Sequence, residues 1–100
     1  MLKEEVYEYL RKIPKGKVVT YGQIGTALGN KSYARVIGNI LHDNPDTLTN
    51  PCYKVVNRKG MMAKNFADGI AKQRERLIRD GVEVIDDRVD LKKYQWHEDI

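Results

Sequence analysis

The chain has very few of the residues that build disulfides and metal sites. Its 100 residues include one cysteine and two histidines. A single cysteine cannot form an internal disulfide, which is typical of a reducing compartment. Cys52, His42 and His97 also lack the spacing of metal ligands. We therefore predict that the protein uses no metal ion and no cofactor.

Long apolar runs are absent as well. No stretch of about 18 apolar residues occurs, so the sequence predicts no membrane span. The first ten residues carry acids where a signal peptide would have a basic and then an apolar stretch. With 41% hydrophobic and 32% charged residues, the composition is typical of a globular protein of one domain. We expect a cytoplasmic monomer.

Acidic residues are scarce in the first 80 positions. Lysine and arginine number 15 there against 8 acids, whereas residues 81–100 have 3 against 6. A basic body with an acidic end indicates a polyanionic partner such as nucleic acid. A solvated surface of ordinary sign fits the same counts, so charge alone leaves both interpretations open.

Apolar spacing predicts helices near both ends of the chain. One covers residues 2–13, and a basic helix covers 70–80. Its apolar positions, expected toward the core, are Ile70, Leu77 and Ile78. Residues 53–57 have strand character, and alternation around Asp86 and Asp87 predicts a terminal hairpin.

The middle of the chain predicts a helix-turn-helix. Thr20 and Gln23 have the spacing of a capping box, which starts a helix that ends at Gly29. We expect Ser32 to cap the next helix, which runs from about residue 33 to residue 42. Two short helices joined by a tight glycine-containing turn are typical of DNA-binding motifs.

The second helix of this motif has an apolar half and a narrow polar half. The apolar half is formed by Tyr33, Ala34, Val36, Ile37, Ile40 and Leu41. The polar half contains Arg35, Gly38, Asn39 and His42. The glycine costs roughly 1 kcal/mol of helix stability relative to alanine. Such a face suits close approach to a nucleic-acid backbone or groove, and an ordinary solvent-facing side fits it equally well.

Five segments carry a family resemblance when taken together. They are IPKGKVVTYGQIGTALG at 13–29, ARVIGNIL at 34–41, NP at 44–45, PCYKVVN at 51–57 and KQRERLIRDGVEV at 72–84. In this order and spacing the chain resembles the C-terminal domain of O6-alkylguanine-DNA alkyltransferases and their alkyltransferase-like relatives. The resemblance implies a mainly α-helical fold with short strands, a winged helix-turn-helix-like domain over residues 1–85. The remaining tail, 86–100, would complete the hairpin.

The resemblance also implies a function and a set of site residues. Family members bind double-stranded DNA through the minor groove, flip O6-alkylguanine out and move its alkyl group once onto a cysteine, here Cys52. Arg35 matches the arginine that fills the gap in the stack, Tyr21 the tyrosine at the lesion's phosphate, and Asn44 the asparagine that braces the cysteine turn. The other residues expected to contact DNA are Ser32, Tyr33, Gly38, Asn39 and Lys54.

The sequence departs from the family pattern beside the cysteine. The family has a histidine there, oriented by a glutamate, which takes the thiol proton through a water. This chain has Tyr53 and Asp80 at the two positions, and Lys54 where the family has arginine. A free thiol with a pKa of about 8.5 is about 3% ionised at neutral pH. A positioned base contributes ~10²–10⁴ in rate, and a tyrosine is a poor base.

The loop of the lesion pocket differs as well. Phe66, Ala67 and Asp68 stand where the family has a tyrosine-serine-glycine loop. Phe66 still offers an apolar ring, whereas Ala67 has no side-chain donor for the O6 oxygen.

Three functions remain open at this point. The protein is a slow alkyltransferase carried by Cys52, or a lesion sensor that flags damage for a downstream repair protein, as cysteine-free relatives do. A helix-turn-helix regulator with Cys52 as a packed thiol is the third. The polar face of the second helix lacks the several base-reading side chains of a major-groove helix, which disfavours the regulator.

Overall fold

The computed structural model describes residues 2–62 and 69–98 of the chain. The elements in chain order are α1 (Leu2–Lys12), β1 (Val19–Thr20), α2 (Tyr21–Ala27), α3 (Ala34–His42), β2 (Val55–Val56), α4 (Ile70–Arg79) and α5 (Leu91–Tyr94). Two 3₁₀ turns, Lys31–Tyr33 and Cys52–Lys54, precede α3 and β2. The predicted class, mainly α-helical with short strands, is confirmed. Within the described residues no helix is long and apolar enough to cross a membrane.

The first helix forms where its apolar spacing predicts it. α1 buries one face, composed of Val6, Tyr7, Tyr9 and Leu10. Acids in its first turn and Arg11 and Lys12 in its last turn complement the helix dipole. α1 packs on α3 and on the Cys52–Lys54 turn, so it helps to hold the cysteine turn in place.

The predicted capping box at the start of α2 is confirmed. The Thr20 hydroxyl accepts from the backbone N–H of Gln23 at 3.1 Å, and the Gln23 side chain accepts from the Thr20 N–H at 3.4 Å. These two bonds satisfy donors that a helix start leaves without partners. They fix the entry to α2 and with it the position of Tyr21, the first residue of that helix.

Two details of the helix-turn-helix were predicted wrongly. Ser32 does not cap α3, because the 3₁₀ turn places Tyr33 at the N-cap and the Asn30 side chain accepts both the N–H and the hydroxyl of Ser32. Val36 is 45% exposed although it was assigned to the apolar half. It lies at the edge of that half, whose centre is the fully buried Ile37.

A short parallel sheet joins the two halves of the chain. Val19 pairs with Val55 and Thr20 with Val56. Beside it, Val18 forms a parallel bridge with Gln95. The pairing places the start of α2 directly next to the strand that follows the cysteine. The sheet therefore fixes Tyr21 and Cys52 relative to each other.

The last long helix buries a glutamine where an isoleucine was expected. Leu77 is fully buried as predicted, whereas Ile78 is 54% exposed. Gln73, one turn before Leu77, is fully buried instead. Positions 70, 73 and 77 share one helix face at the i, i+3, i+4 spacing, and Ile78 lies at the border of that face.

The end of the chain is part of the body and not a separate tail. The chain reverses at Asp86 and Asp87, both with φ near +55°, and Arg88 forms antiparallel bridges with Ile85 and with Met61. Val89 is 1% exposed and belongs to a hydrophobic cluster whose other buried members are Val18, Val56, Met62, Leu77 and Val82. Val89 thus packs with residues on the other side of position 85, and the boundary at residue 85 stays a prediction.

Candidate functional site

The cysteine lies in a turn held by two asparagines. The Asn44 side chain donates to the Asn50 carbonyl at 2.8 Å, and the N–H of Cys52 donates to the same carbonyl at 2.7 Å. The Asn44 side-chain oxygen accepts from the backbone of Asp46 at 3.1 Å. Asn44 and Asn50 are each 6% exposed. One buried amide thus ties the end of α3 to the backbone beside the thiol.

Two further side chains hold this segment, and neither was among the predicted site residues. Arg11 donates through Nε and Nη2 to the Asn50 side-chain oxygen, at 3.2 and 2.6 Å. Gln73 donates through Nε2 to the carbonyls of Tyr53 and Val55, at 3.1 and 2.9 Å. The signal that could have found Gln73 is a polar residue on the apolar face of an amphipathic helix. Together these residues join α1 and α4 to the cysteine turn.

Tyr53 and Asp80 are in direct contact. The Tyr53 hydroxyl donates to Asp80 Oδ2 at 2.6 Å. Burial raises the pKa of the phenol, and the Asp80 carboxylate raises this pKa further through the hydrogen bond and its charge, while Arg76 opposes it. Because the phenol keeps its proton near neutral pH, Tyr53 cannot accept a proton from a thiol there. The pair occupies the positions at which the family pattern has a histidine and a glutamate.

The thiol of Cys52 is 2% exposed and lies near two other phenols. Burial raises the pKa of Tyr21 to about 12, and the negative charge of an ionised Cys52 adds to this. The pKa of Tyr7 is raised by the same two causes. The Tyr7 hydroxyl donates a hydrogen bond to the carbonyl of Ile40 at 3.2 Å. Tyr7 was not among the predicted site residues, because its place in α1 is far from the cysteine in sequence.

The polar face of α3 is accessible as predicted. Arg35 and Asn39 are exposed, whereas Gly38 is half-buried beside Tyr21. A Cβ built on Gly38 would lie 4.0 Å from Cε1 of Tyr21. Tyr33 is half-buried against the hydrophobic core that contains Leu10, Ile24 and Ile37. These residues form one surface, made by the start of α2 and the outer side of α3, which we call the α3 face.

Lys54 does not belong to this surface. Its side chain is buried at 8% exposure, and Nζ donates to the carbonyl of Ile13 at 2.8 Å. Burial lowers its pKa, and Asp80 opposes this shift. An ammonium group in this position holds the end of α1, which argues against the predicted contact with DNA. The predicted pocket residues Phe66, Ala67 and Asp68 lie outside the described residues.

Comparison with known proteins identifies the family. A family model described as 6-O-methylguanine DNA methyltransferase, DNA binding domain, matches residues 1–82. A bifunctional methyltransferase/endonuclease of Picrophilus torridus is 40% identical over 92 residues, which cover 92% of this chain and 30% of that protein. A DNA base-flipping protein of Vibrio parahaemolyticus is 33% identical over 93 residues, with 92% of each chain covered.

The fold comparison agrees. The crystal structure of the S. pombe alkyltransferase-like protein in complex with damaged DNA containing O6-carboxymethylguanine is similar, with a TM-score of 0.87 and 33% identity. The match covers 97% of this chain and 95% of that one. This chain belongs to the family of the 6-O-methylguanine DNA methyltransferase DNA-binding domain. It spans less than a third of the Picrophilus relative and nearly all of the Vibrio one.

Proposed function

We propose that this member of the alkyltransferase family recognises O6-alkylguanine in duplex DNA by turning the base out of the helix. Recognition, and not rapid alkyl transfer, is its main activity. The observation that carries this assignment is the hydrogen bond between Tyr53 and Asp80. At the place where a base would activate the thiol, the protein has a protonated phenol bound to a carboxylate.

The relatives support the same function. The Vibrio relative is a DNA base-flipping protein, and the S. pombe structure is a complex with DNA that carries an O6-alkylated guanine. Both match this chain over almost its whole length. The exposed Arg35 suits insertion into the space that an extruded base leaves, and Tyr21 lies at the adjacent edge of the α3 face. Small residues and a wedge are what extrusion from the minor groove requires.

A second activity, slow alkyl transfer to Cys52, is favoured by the way the cysteine is held. Its backbone is fixed by the bonds to the Asn50 carbonyl, and the thiol lies near enough to Tyr21 for their charges to interact. The sulfur would attack the alkyl carbon and the bond from that carbon to O6 would break. The electron pair then stays on the guanine, and the thiol proton is lost to solvent.

A sensor without fast chemistry needs an enzyme to act on the lesion it has found. The Picrophilus relative combines methyltransferase and endonuclease in one chain, and the part similar to this protein is 30% of it. We infer that a repair protein binds the complex of this chain with the lesion and then acts on the DNA. Its role would correspond to that of the rest of the Picrophilus chain.

The test is a competition titration between duplexes with and without O6-methylguanine. A damaged base pairs poorly and costs less to extrude, so we expect the lesion duplex to bind about tenfold or more tightly. Arg35→Ala should reduce this preference, because Arg35 acts only on the extruded state. The control Lys92→Ala removes an equal charge from α5 and should leave the preference intact.

Two results would contradict the proposal. Equal affinity for both duplexes would favour a regulator that does not read damage. Intact-protein mass spectrometry measures transfer in the same samples. Complete addition of one methyl group to Cys52 within the binding time would make transfer, and not recognition, the main activity.

A further inference from the structure

A basic pocket lies apart from the α3 face. It has a volume of about 380 Å³ and lies between the last turns of α1 and α4 and the segment 47–54. We call it the arginine pocket, after Arg11, Arg76 and Arg79 in its walls. Tyr21, Arg35, Gly38 and Asn39 do not line it. Of the residues predicted to contact DNA, the inward-facing Lys54 alone lines this pocket. The pocket therefore has no function assigned to it so far.

The charges of the pocket favour an acidic ligand. Three arginines from two helices line the pocket, together with one carboxylate, that of Asp80. This carboxylate already accepts a hydrogen bond from the Tyr53 hydroxyl. The two bonds from Arg11 to Asn50 use two of the five N–H groups of a guanidinium. Arg79 is held by Glu75 in an exposed ion pair, which water screens and a new acidic partner could replace. Planar guanidinium groups bind carboxylates through paired hydrogen bonds.

The rim of the pocket adds an apolar contact. Leu48 is 82% exposed and lines the mouth, flanked by Thr47 and Thr49. A leucine has no favourable contact with a phosphate backbone, but it packs well on an apolar side chain. The volume is within the range of pockets that hold a small ligand, and it accommodates two or three peptide side chains. Acidic and apolar groups together are therefore the matching chemistry.

We propose that the arginine pocket docks an acidic peptide segment, with an apolar residue beside its carboxylates, from a partner protein. The inference rests on the proposed function in one respect, since a lesion sensor needs such a partner. The pocket is bounded by Arg11 and Tyr53, which contact the cysteine turn. The pocket and the α3 face share none of Tyr21, Arg35, Gly38 and Asn39, so a partner in the pocket would not compete with DNA for these residues.

The experiment is an NMR titration of the ¹⁵N-labelled full chain with a synthetic peptide. The probe is Gly-Asp-Glu-Leu-Glu-Asp-Phe-Gly with blocked ends, and the reference peptide has Asn and Gln in place of its acids. We expect shifts confined to residues 47–54 and 76–81. The acidic peptide should bind about tenfold more tightly than the reference at low salt, and this advantage should shrink as salt rises.

Matched variants locate the contact. Arg79→Glu should weaken peptide binding about tenfold, and Leu48→Ser severalfold. Both side chains are largely exposed, so both variants should fold, which their amide spectra report. The control Lys72→Glu makes the same charge change on α4 outside the pocket and should bind as the parent does.

Several results would overturn the docking site. Equal affinity for the two peptides, shifts elsewhere on the surface, or identical effects of Arg79→Glu and Lys72→Glu would each do so. Displacement of the peptide by undamaged duplex, with weaker DNA binding by Arg79→Glu, would make the pocket a phosphate site instead. The lesion preference of the parent protein is measured separately, so failure of the recognition function is distinguishable from failure of the docking site.

Discussion

At the scale of single residues, the Tyr53–Asp80 bond is the observation on which the proposal of recognition without rapid transfer rests. The phenol holds its proton because it is buried and because it donates to a carboxylate. Because folding raises the pKa of Tyr53, the protonated phenol stabilises the folded protein, and this contribution depends on pH. The bond contributes fully below the ordinary tyrosine pKa near 10 and is lost only as pH rises above it. At neutral pH the site is therefore stable and has no base at this position.

Restoring a base should speed up the chemistry. We expect Tyr53→His to raise the rate of alkyl transfer to Cys52 by about tenfold or more, since a positioned base typically contributes ~10²–10⁴. Asp80 is one methylene shorter than glutamate, so the paired change with Asp80→Glu should exceed either change alone. The two sites should then show coupled effects in a double-mutant cycle. The rate is measured by intact-protein mass spectrometry with an O6-methylguanine oligonucleotide.

Two controls give this result its meaning. Tyr53→Phe removes the hydroxyl without adding a base and should leave the transfer rate unchanged. Cys52→Ser in the double variant should abolish transfer and leave DNA binding nearly intact. If the double variant binds lesion DNA and Cys52 still gains no alkyl group, the obstacle is the pocket that seats the base and not the missing histidine.

At the scale of elements, local signals predicted most of the helices. The capping box and the apolar spacing of α1 act between neighbours in sequence, so the sequence alone located them. Ser32 and Ile78 were misplaced by about one residue, which is the usual uncertainty at a helix start or at the border of a helix face. The predicted roles of Asn44, Cys52 and Tyr53 were based on the family pattern.

The position of Gln73 on an apolar helix face marks it as unusual, but the partners of Gln73 and Arg11 could not have been predicted. Each joins residues that are distant in the chain, and the direction of a polar side chain is set by packing that the sequence does not display.

The α3 helix offers a test that separates folding from binding. Gly38→Ala places a methyl group 4.0 Å from the Tyr21 ring, an ordinary contact distance. Alanine favours a helix by roughly 1 kcal/mol over glycine, so the midpoint of urea unfolding should rise. If the α3 face enters a groove, the same methyl group should weaken binding to lesion duplex. A variant that is both more stable and unchanged in DNA affinity would show that the narrow face has no role in binding.

At the scale of the whole molecule, the end of the chain supports the start of the DNA-binding motif. The backbone of Val18 bonds with Tyr94 and Trp96, at 2.9 and 2.8 Å. The side chain of Gln23, which caps α2, donates to the Trp96 carbonyl. The ring of Trp96 packs on Tyr9 with centroids 5.8 Å apart. Residues 94–96 thus hold the element that carries Tyr21.

The packing of residues 86–98 against the rest of the protein requires a glycine at position 60. Gly60 has φ +83°, and a Cβ there would lie 2.1 Å from the carbonyl oxygen of Val89. The neighbouring atom is backbone, so the backbone at Val89 must move away if a side chain is added. Val89 is almost fully buried and donates its N–H to the Gly60 carbonyl at 2.8 Å. We therefore expect Gly60→Ala to destabilise the protein by about 2–4 kcal/mol in urea unfolding.

Gly29→Ala is the control that isolates the clash. Gly29 also has a positive φ, +103°, but has nothing within 4 Å of an added Cβ. It should cost only the conformational strain, about 1–2 kcal/mol. Trp96 is the single tryptophan, so its fluorescence reports the docked segment directly. It should shift to longer wavelength in Gly60→Ala and stay unchanged in Gly29→Ala. Equal losses of stability with unchanged fluorescence would mean that residues 86–98 do not depend on this close approach.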